Sequence, residues 1–169
     1  MKKVVLPLLV LLAAVACGEK KEDFAIYPGA QAQPQLLELF KKASTTLDPH
    51  KPIPPQVIYD TDASLEDVAA FYAKENGYPK VFPDSTGNLS SVPPPAFYRT
   101  GDLRTDLDAI QPILKKMNMN VDSAKAAGKY RGAHISANGD RPRVTLSRPY
   151  FDPTKQQVVD RTLIIMVKE

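Results

Sequence analysis

Near the end of the chain, Leu163-Ile164-Ile165-Met166-Val167 runs without a polar residue. It is the apolar heart of the longer segment Gln157–Lys168 (QVVDRTLIIMVK), which is dominated by aliphatic and β-branched residues. A strand with one wet face alternates apolar and polar side chains. A continuous run of this length points instead to burial on both faces, or to a central place in a sheet. The sequence around it is read with that strand as its reference.

The segments just before it supply partners. Lys129–Ala137 (KYRGAHISA) alternates Arg131, Ala133, Ile135 and Ala137 against Tyr130, Gly132, His134 and Ser136. Arg141–Pro149 (RPRVTLSRP) alternates Val144 and Leu146 against Arg143, Thr145 and Ser147. Asn138-Gly139-Asp140 lies between them, and Asn-Gly accepts the positive φ of a tight hairpin. Tyr150–Gln156 reads as a loop leading into the aliphatic strand. These segments together predict a C-terminal, three-stranded antiparallel meander.

Helical spacing appears upstream. Leu36, Leu37, Leu39, Phe40, Ala43 and Leu47 recur at threes and fours over Gln35–Leu47, which predicts an amphipathic helix. Leu65–Asn76 carries the stripe Leu65, Val68, Ala69 and Tyr72, with Ser64 and Asp67 spaced as a capping box and Gly77 placed as a C-cap glycine. Leu103, Leu107, Ile110, Leu114 and Met117 predict a third helix over 102–118. Pro112 within it leaves open one kinked helix or two short ones meeting near Gln111. Gln56–Tyr59 and Ala96–Arg99 read as strands, Phe24–Tyr27 as a short strand, and Tyr78–Pro83 as an interrupted edge strand. His50–Pro55 is a proline-stiffened connector, Asp84–Pro95 a loop and Val121–Gly128 a weakly helical connector. The expected fold class is α+β: two or three helices packed on an antiparallel sheet that ends in the meander.

The N-terminus carries a different signal. Lys2 and Lys3 precede Val4–Ala16, thirteen residues that are apolar apart from Pro7. A membrane-spanning helix needs about 20 such residues, so this run has the proportions of a removable signal peptide. Ala14 and Ala16 place small residues at the cut, and the next residue is Cys17, the only cysteine. Cleavage there leaves 153 residues, one domain's worth. The expected organisation is a signal peptide at 1–16, an anchor residue and charged tether at 17–23, and one domain at 24–169. The 22 Lys and Arg residues fall to 20 without the leader's two lysines, against 19 Asp and Glu. That balance offers no basic patch for nucleic acid, so no nucleic-acid partner is expected. With one cysteine there is no disulfide and no thiolate metal cluster.

Ala14-Val15-Ala16-Cys17 resembles the lipobox of bacterial lipoproteins, departing from it at Ala14, where that family more often has Leu. The resemblance implies that the Cys17 thiol receives a diacylglycerol and that the new amino terminus is then acylated. Membrane lipid is the partner so implied. In Gram-negative lipoproteins an Asp after the cysteine tends to retain the protein in the inner membrane, and Gly18 here implies the outer membrane, facing the periplasm, if the source is Gram-negative. Tyr27-Pro28-Gly29-Ala30, together with Ser64, Val68, Phe71 and Tyr72, also resembles a pattern in small bacterial lipoproteins. No site residue is transferred from it.

Chemistry is sparse. Asp60-x-Asp62-x-Ser64-x-Glu66 opens like a calcium loop, but Leu65 stands where Gly is needed and Phe71 where Glu is needed. These acids are expected to cap a helix, and no metal or cofactor is expected. His134 lies on a strand without a motif partner, and Asp102, Asp106 and Asp108 cluster near a helix start. A hydrolase using His134 and a nearby Asp is the least favoured reading. Arg141 and Arg143 are expected on one sheet face and Arg148 on the other. Tyr150 and Phe151, adjacent aromatics in a proline-bounded loop, form with Arg143 and Arg148 the candidate contact surface. The expected function is non-catalytic: an anchored binding, scaffolding or assembly module of the cell envelope, with another envelope protein as its partner. A periplasmic carrier with a ligand pocket between helices and sheet is the alternative.

Overall fold

The computed structural model describes residues 24–83 and 93–168. The leader, Cys17, the tether and most of the Asp84–Pro95 loop lie outside these residues. In chain order the elements are β1 (Gln31–Ala32), α1 (Pro34–Leu47), β2 (Gln56–Thr61), α2 (Leu65–Glu75), β3 (Ala96–Asp102) and α3 (Leu103–Lys116). They are followed by β4 (Lys129–Ile135), β5 (Arg143–Arg148), β6 (Tyr150–Asp152), β7 (Gln157–Val159) and β8 (Thr162–Val167). Six strands make one antiparallel sheet in the order β1-β2-β8-β5-β4-β3, and β6 pairs with β7 as a separate hairpin. The architecture is α+β. Among the described residues no helix is long and apolar enough to cross a membrane.

The aliphatic run is β8, and it is interior, paired with β2 on one side and β5 on the other. Its register separates two faces. Ile164 and Met166 point to the same side as Leu146, Val144, Ala133 and Ile135, and all six are fully buried under α2. Leu163 and Ile165 point to the opposite side. The meander β4-β5-β8 is present, but the chain makes a detour between β5 and β8. Tyr150–Gln156 was expected as loop, yet Tyr150–Asp152 is a strand that folds back on Gln157–Val159. The expected single strand 157–168 is therefore two, broken at Asp160 and Arg161. The buried Asp152 carboxylate makes the turn, accepting from the Thr154 amide (2.9 Å) and hydroxyl (2.6 Å) and from the Lys155 amide (3.2 Å).

α2 forms as its caps dictate. Ser64 Oγ accepts from the Asp67 amide and donates to the Asp67 carboxylate. At the other end Gly77 takes φ +78°, and the Gly77 and Tyr78 amides return to the carbonyls of Lys74 and Ala73. Asn76 joins this end to the β4–β5 hairpin. Its Nδ2 donates to Ser136 O and Pro142 O, both at 2.8 Å, and its carbonyl accepts from Asn138 Nδ2 at 2.8 Å. Val68, Ala69, Tyr72 and Ala73 bed against the sheet. Burying a large apolar side chain contributes roughly 1.5–3 kcal/mol, so this face supplies much of the driving force for folding.

The Tyr27-Pro28-Gly29 turn lies on α2. Tyr27 stacks edge-on against Phe71 (5.3 Å between ring centres), Phe71 stacks on Tyr72, and the Tyr27 amide donates to the Tyr72 hydroxyl at 3.2 Å. Phe24–Tyr27 was expected as a strand and has no ladder partner; its order comes from these side-chain contacts. Tyr78–Pro83 contributes only a bridge from Phe82 to Phe97 on β3.

α3 is one helix through Pro112. Proline removes the bond to the carbonyl four residues back, that of Asp108, and both residues are exposed, so water can satisfy that carbonyl. Asp102 caps the helix, its Oδ1 accepting from the Thr105 amide at 2.9 Å. α1 and α3 both lie over the face opposite α2 and cover one end of it.

Candidate binding site on the open sheet face

On the face away from α2, side chains come in rows set by strand register. One row is Arg99, Gly132, Ser147, Leu163 and Asp60. The next is Phe97, His134, Thr145, Ile165 and Ile58, followed by Arg143, Val167 and Gln56. The first row lies under α1, α3 and the β6–β7 hairpin. Beyond it Phe97, His134, Thr145, Ile165, Arg143 and Val167 are only partly buried. All of these but Phe97 floor a trough of about 940 Å³, whose rim includes Phe40 on α1 and Lys51–Pro54 of the connector. Phe40 and Ile53 are each 39% exposed at this rim. The ring of His134 stacks at a tilt on Phe97, 5.5 Å away. Lys51, His134 and Arg143 bring basic groups to an otherwise largely apolar surface. The Gln56 side chain joins the wall, and its Nε2 is buried without a hydrogen-bond partner.

A second, smaller groove of about 390 Å³ lies between α1, α3 and the sheet, and shares Phe40 with the trough. Two tyrosine–carboxylate pairs are found here. Tyr130 donates to Asp106 Oδ2 at 2.6 Å, with the Arg99 guanidinium 5.5 Å from its ring centre. Burial, then the bond to Asp106, pushes the Tyr130 hydroxyl up to about 12. The ring packs on Gly101, where a Cβ would come within 2.4 Å of ring carbons, so no other residue fits there without moving the ring. Tyr150 donates to Asp60 Oδ2 at 2.9 Å, and the same oxygen meets Arg161 Nε at 3.1 Å. Burial, with the Asp60 bond second, raises the Tyr150 hydroxyl far above its ordinary range.

The residues expected to form a contact surface are thus distributed. Tyr150 is buried and Phe151 half-buried, both folded back over the core and lining the smaller groove. Arg143 is in the trough. Arg148 is on the α2 face, bonded to Asp160 Oδ1 (2.9 Å) and to the carbonyls of Asp62 (3.0 Å) and Ala63 (2.9 Å). Arg141 does not share Arg143's surroundings: it lies in the hairpin turn and pairs with Glu75 on α2. Of the acids expected to cap α2, Asp60 and Asp62 instead pair with Arg161, and Ser64 is the cap. Asp106 lies in the first turn of α3 as expected, and also accepts from the Tyr130 hydroxyl. Among the described residues no group of three or more His, Cys, Asp or Glu side chains could hold a metal ion.

Sequence reasoning missed Phe40, Gln56, Thr145, Ile165 and Val167 as one surface. Alternation puts Thr145 opposite Leu146, but only the cross-strand register brings Thr145 beside Ile165 and His134. No signal in the sequence says that the helices stop short of that row. Comparisons with protein-family models, with curated proteins and with solved structures returned no match.

Proposed function

We propose that the chain is a non-catalytic, lipid-anchored binding module of the cell envelope, facing the periplasm, and that the trough is its binding surface. The observation that carries the second half is the half-covered sheet face. α2 fully buries the β4-β5-β8 centre of one side of the sheet, whereas α1 and α3 leave Ile165, Val167, Thr145 and Phe97 of the same central strands and of β3 partly buried on the other. A concave, mostly apolar surface with a few converging polar groups is the usual form of a ligand site. The first half rests on the lipobox-like Ala14-Val15-Ala16-Cys17.

A photo-crosslinking residue placed at Thr145 in cells, with a control at Lys74 on the exposed side of α2, tests the surface. A ligand-dependent adduct at 145 and none at 74 is the expected result; equal labelling at both would overturn it. The mass of the N-terminal peptide tests the anchor. Added acyl mass that disappears in Cys17→Ser is expected, and an unmodified Cys17 would refute it.

A further inference from the structure

We infer that the trough takes a single-chain anionic amphiphile, a fatty-acid or lysophospholipid-like molecule, drawn from the bilayer to which the chain is tethered. This inference rests on the binding reading above and names its ligand class. Three observations carry it.

The first is where the tether enters. The described chain begins at Phe24, and the Lys168 ammonium lies 5.2 Å from that ring's centre. The Lys168 amide donates to Pro55 O at 2.9 Å, and Pro55 continues directly from Lys51–Pro54, which forms the lip of the trough. The tether therefore enters at the strand end that carries the lip of the trough, although Phe24 itself packs with the cluster on the α2 face. Gly18–Asp23 is six residues, a reach of roughly 20 Å. An anchor at Cys17 would keep this strand end within about one tether length of the lipid surface.

The second is the rim. Phe40 and Ile53, both lining the trough, are each 39% exposed. Large apolar side chains grouped beside a concavity mark a site of apolar contact. The third is polarity within the trough. Ile165, Val167, Phe40 and Ile53 give an apolar track, and Lys51 and Arg143 bring positive charge beside it, with the His134 ring on the floor. Gln56 Nε2 adds a buried donor lacking a partner. An apolar track with basic groups and a spare donor along it suits an apolar chain with an anionic head. The volume of about 940 Å³ is within the range of small-molecule sites.

The test uses the full exported chain carrying Cys17→Ser, so that no attached acyl group occupies the trough. Calorimetric titration with dodecanoate, dodecanol and acetate separates head from tail. Dodecanoate is expected to bind one per chain, dodecanol about tenfold more weakly, and acetate not at all. Arg143→Gln and Lys51→Gln should each weaken dodecanoate by about tenfold, the worth of one charge-assisted hydrogen bond. Thr145→Trp, which fills the floor, should abolish binding while circular dichroism stays unchanged. If that variant does not fold, the two charge variants decide the matter. Labelled dodecanoate should also leave phosphatidylcholine vesicles for the protein. Equal binding of the alcohol would overturn the anionic head. No binding of dodecanoate, or binding unaltered in every variant, would overturn the site. No transfer from vesicles would overturn the bilayer as source. Each result is independent of whether wild-type Cys17 is acylated, so failure here and failure of the anchor are distinguishable.

Discussion

The two faces of the central sheet are built from the same strands but finished differently. Under α2, Ala133, Ile135, Val144, Leu146, Ile164 and Met166 are all fully buried, and the helix is fastened at both ends by Ser64 and Asn76. On the other face α1 and α3 cover one end, and the row from Phe97 to Ile165 is left half-exposed. Every second residue of β5 and β8 therefore serves one role and its neighbour another. The closed face provides most of the stability, and the open face is where a stable domain can carry a surface for something else. Residues of β5 and β8 on opposite faces should then respond to the same substitution very differently.

Leu146→Ala on the closed face and Ile165→Ala on the open face make the sharpest contrast. Deleting a fully buried Leu costs 2–5 kcal/mol, through lost transfer energy and the cavity left behind. Ile165 keeps part of its surface in water, and its truncation should cost about 1 kcal/mol. Urea unfolding followed by circular dichroism reads both, and equal costs would mean that the open face is sealed too.

The second expectation concerns pH. Burial pushes the Tyr72 hydroxyl up from its ordinary 10 to about 12, the Tyr27 amide only partly opposing this. The folded state thus prefers the neutral phenol. Its contribution is complete below pH 10 and is lost as the pH rises towards 12. A shift of this size corresponds to about 2–3 kcal/mol. Thermal melting between pH 9 and 12 should show the decline, and Tyr72→Phe should make it shallower, leaving the part owed to Tyr130 and Tyr150. Asn76→Ala comes next, at about 1–3 kcal/mol, because the carbonyls of Ser136 and Pro142 lose their donor in the interior. Its mark beyond stability is faster amide exchange confined to the β4–β5 hairpin.

These contrasts also show which parts of the molecule were legible in the sequence. α2 and its caps could be read because every signal for them is local: a 3.6-residue stripe, Ser64 three residues before Asp67, Gly77 just past the end. β8 could be read because an aliphatic run has few other uses. The β6–β7 hairpin could not. Its turn is made by the Asp152 side chain bonding Thr154 and Lys155, and Asp-Pro alone signals only a loop. Asp60 looked like a capping acid by its place between strand and helix, yet it is buried against Tyr150, ninety positions along the chain. The trough was the least legible of all. It arises from where two helices end relative to a sheet, and nothing local encodes that relation. The aromatics Tyr150 and Phe151 drew attention as a pair, although alternation along β6 gives one to the tyrosine–carboxylate contact and the other to the α3 cluster.

The smallest expected effect lies at the solvent edge of the closed face. Arg131 follows the same alternation as Ala133 and Ile135, so it points towards α2, but at the sheet's end it meets Glu66 and the ring of Tyr98, 5.2 Å away, rather than the core. Both charged side chains are more than half exposed. Attraction between such groups is screened by water and opposed by the entropy of ordering two long chains, which leaves 0.2–1 kcal/mol at most. Arg131→Gln should therefore cost about 0.5 kcal/mol at low salt and less in 0.5 M NaCl, where the Debye length falls below about 5 Å. Its guanidinium also lies over Tyr98, whose hydroxyl is raised mainly by burial, with Glu66 adding to the rise and Arg131 opposing it. Removing the arginine should shift the Tyr98 phenol titration further up, in a phenol-absorbance experiment with Tyr98→Phe as the blank. A loss of several kcal/mol would instead place Arg131 within the closed face's packing, and the division between sealed core and wet edge would have to be drawn one row further out.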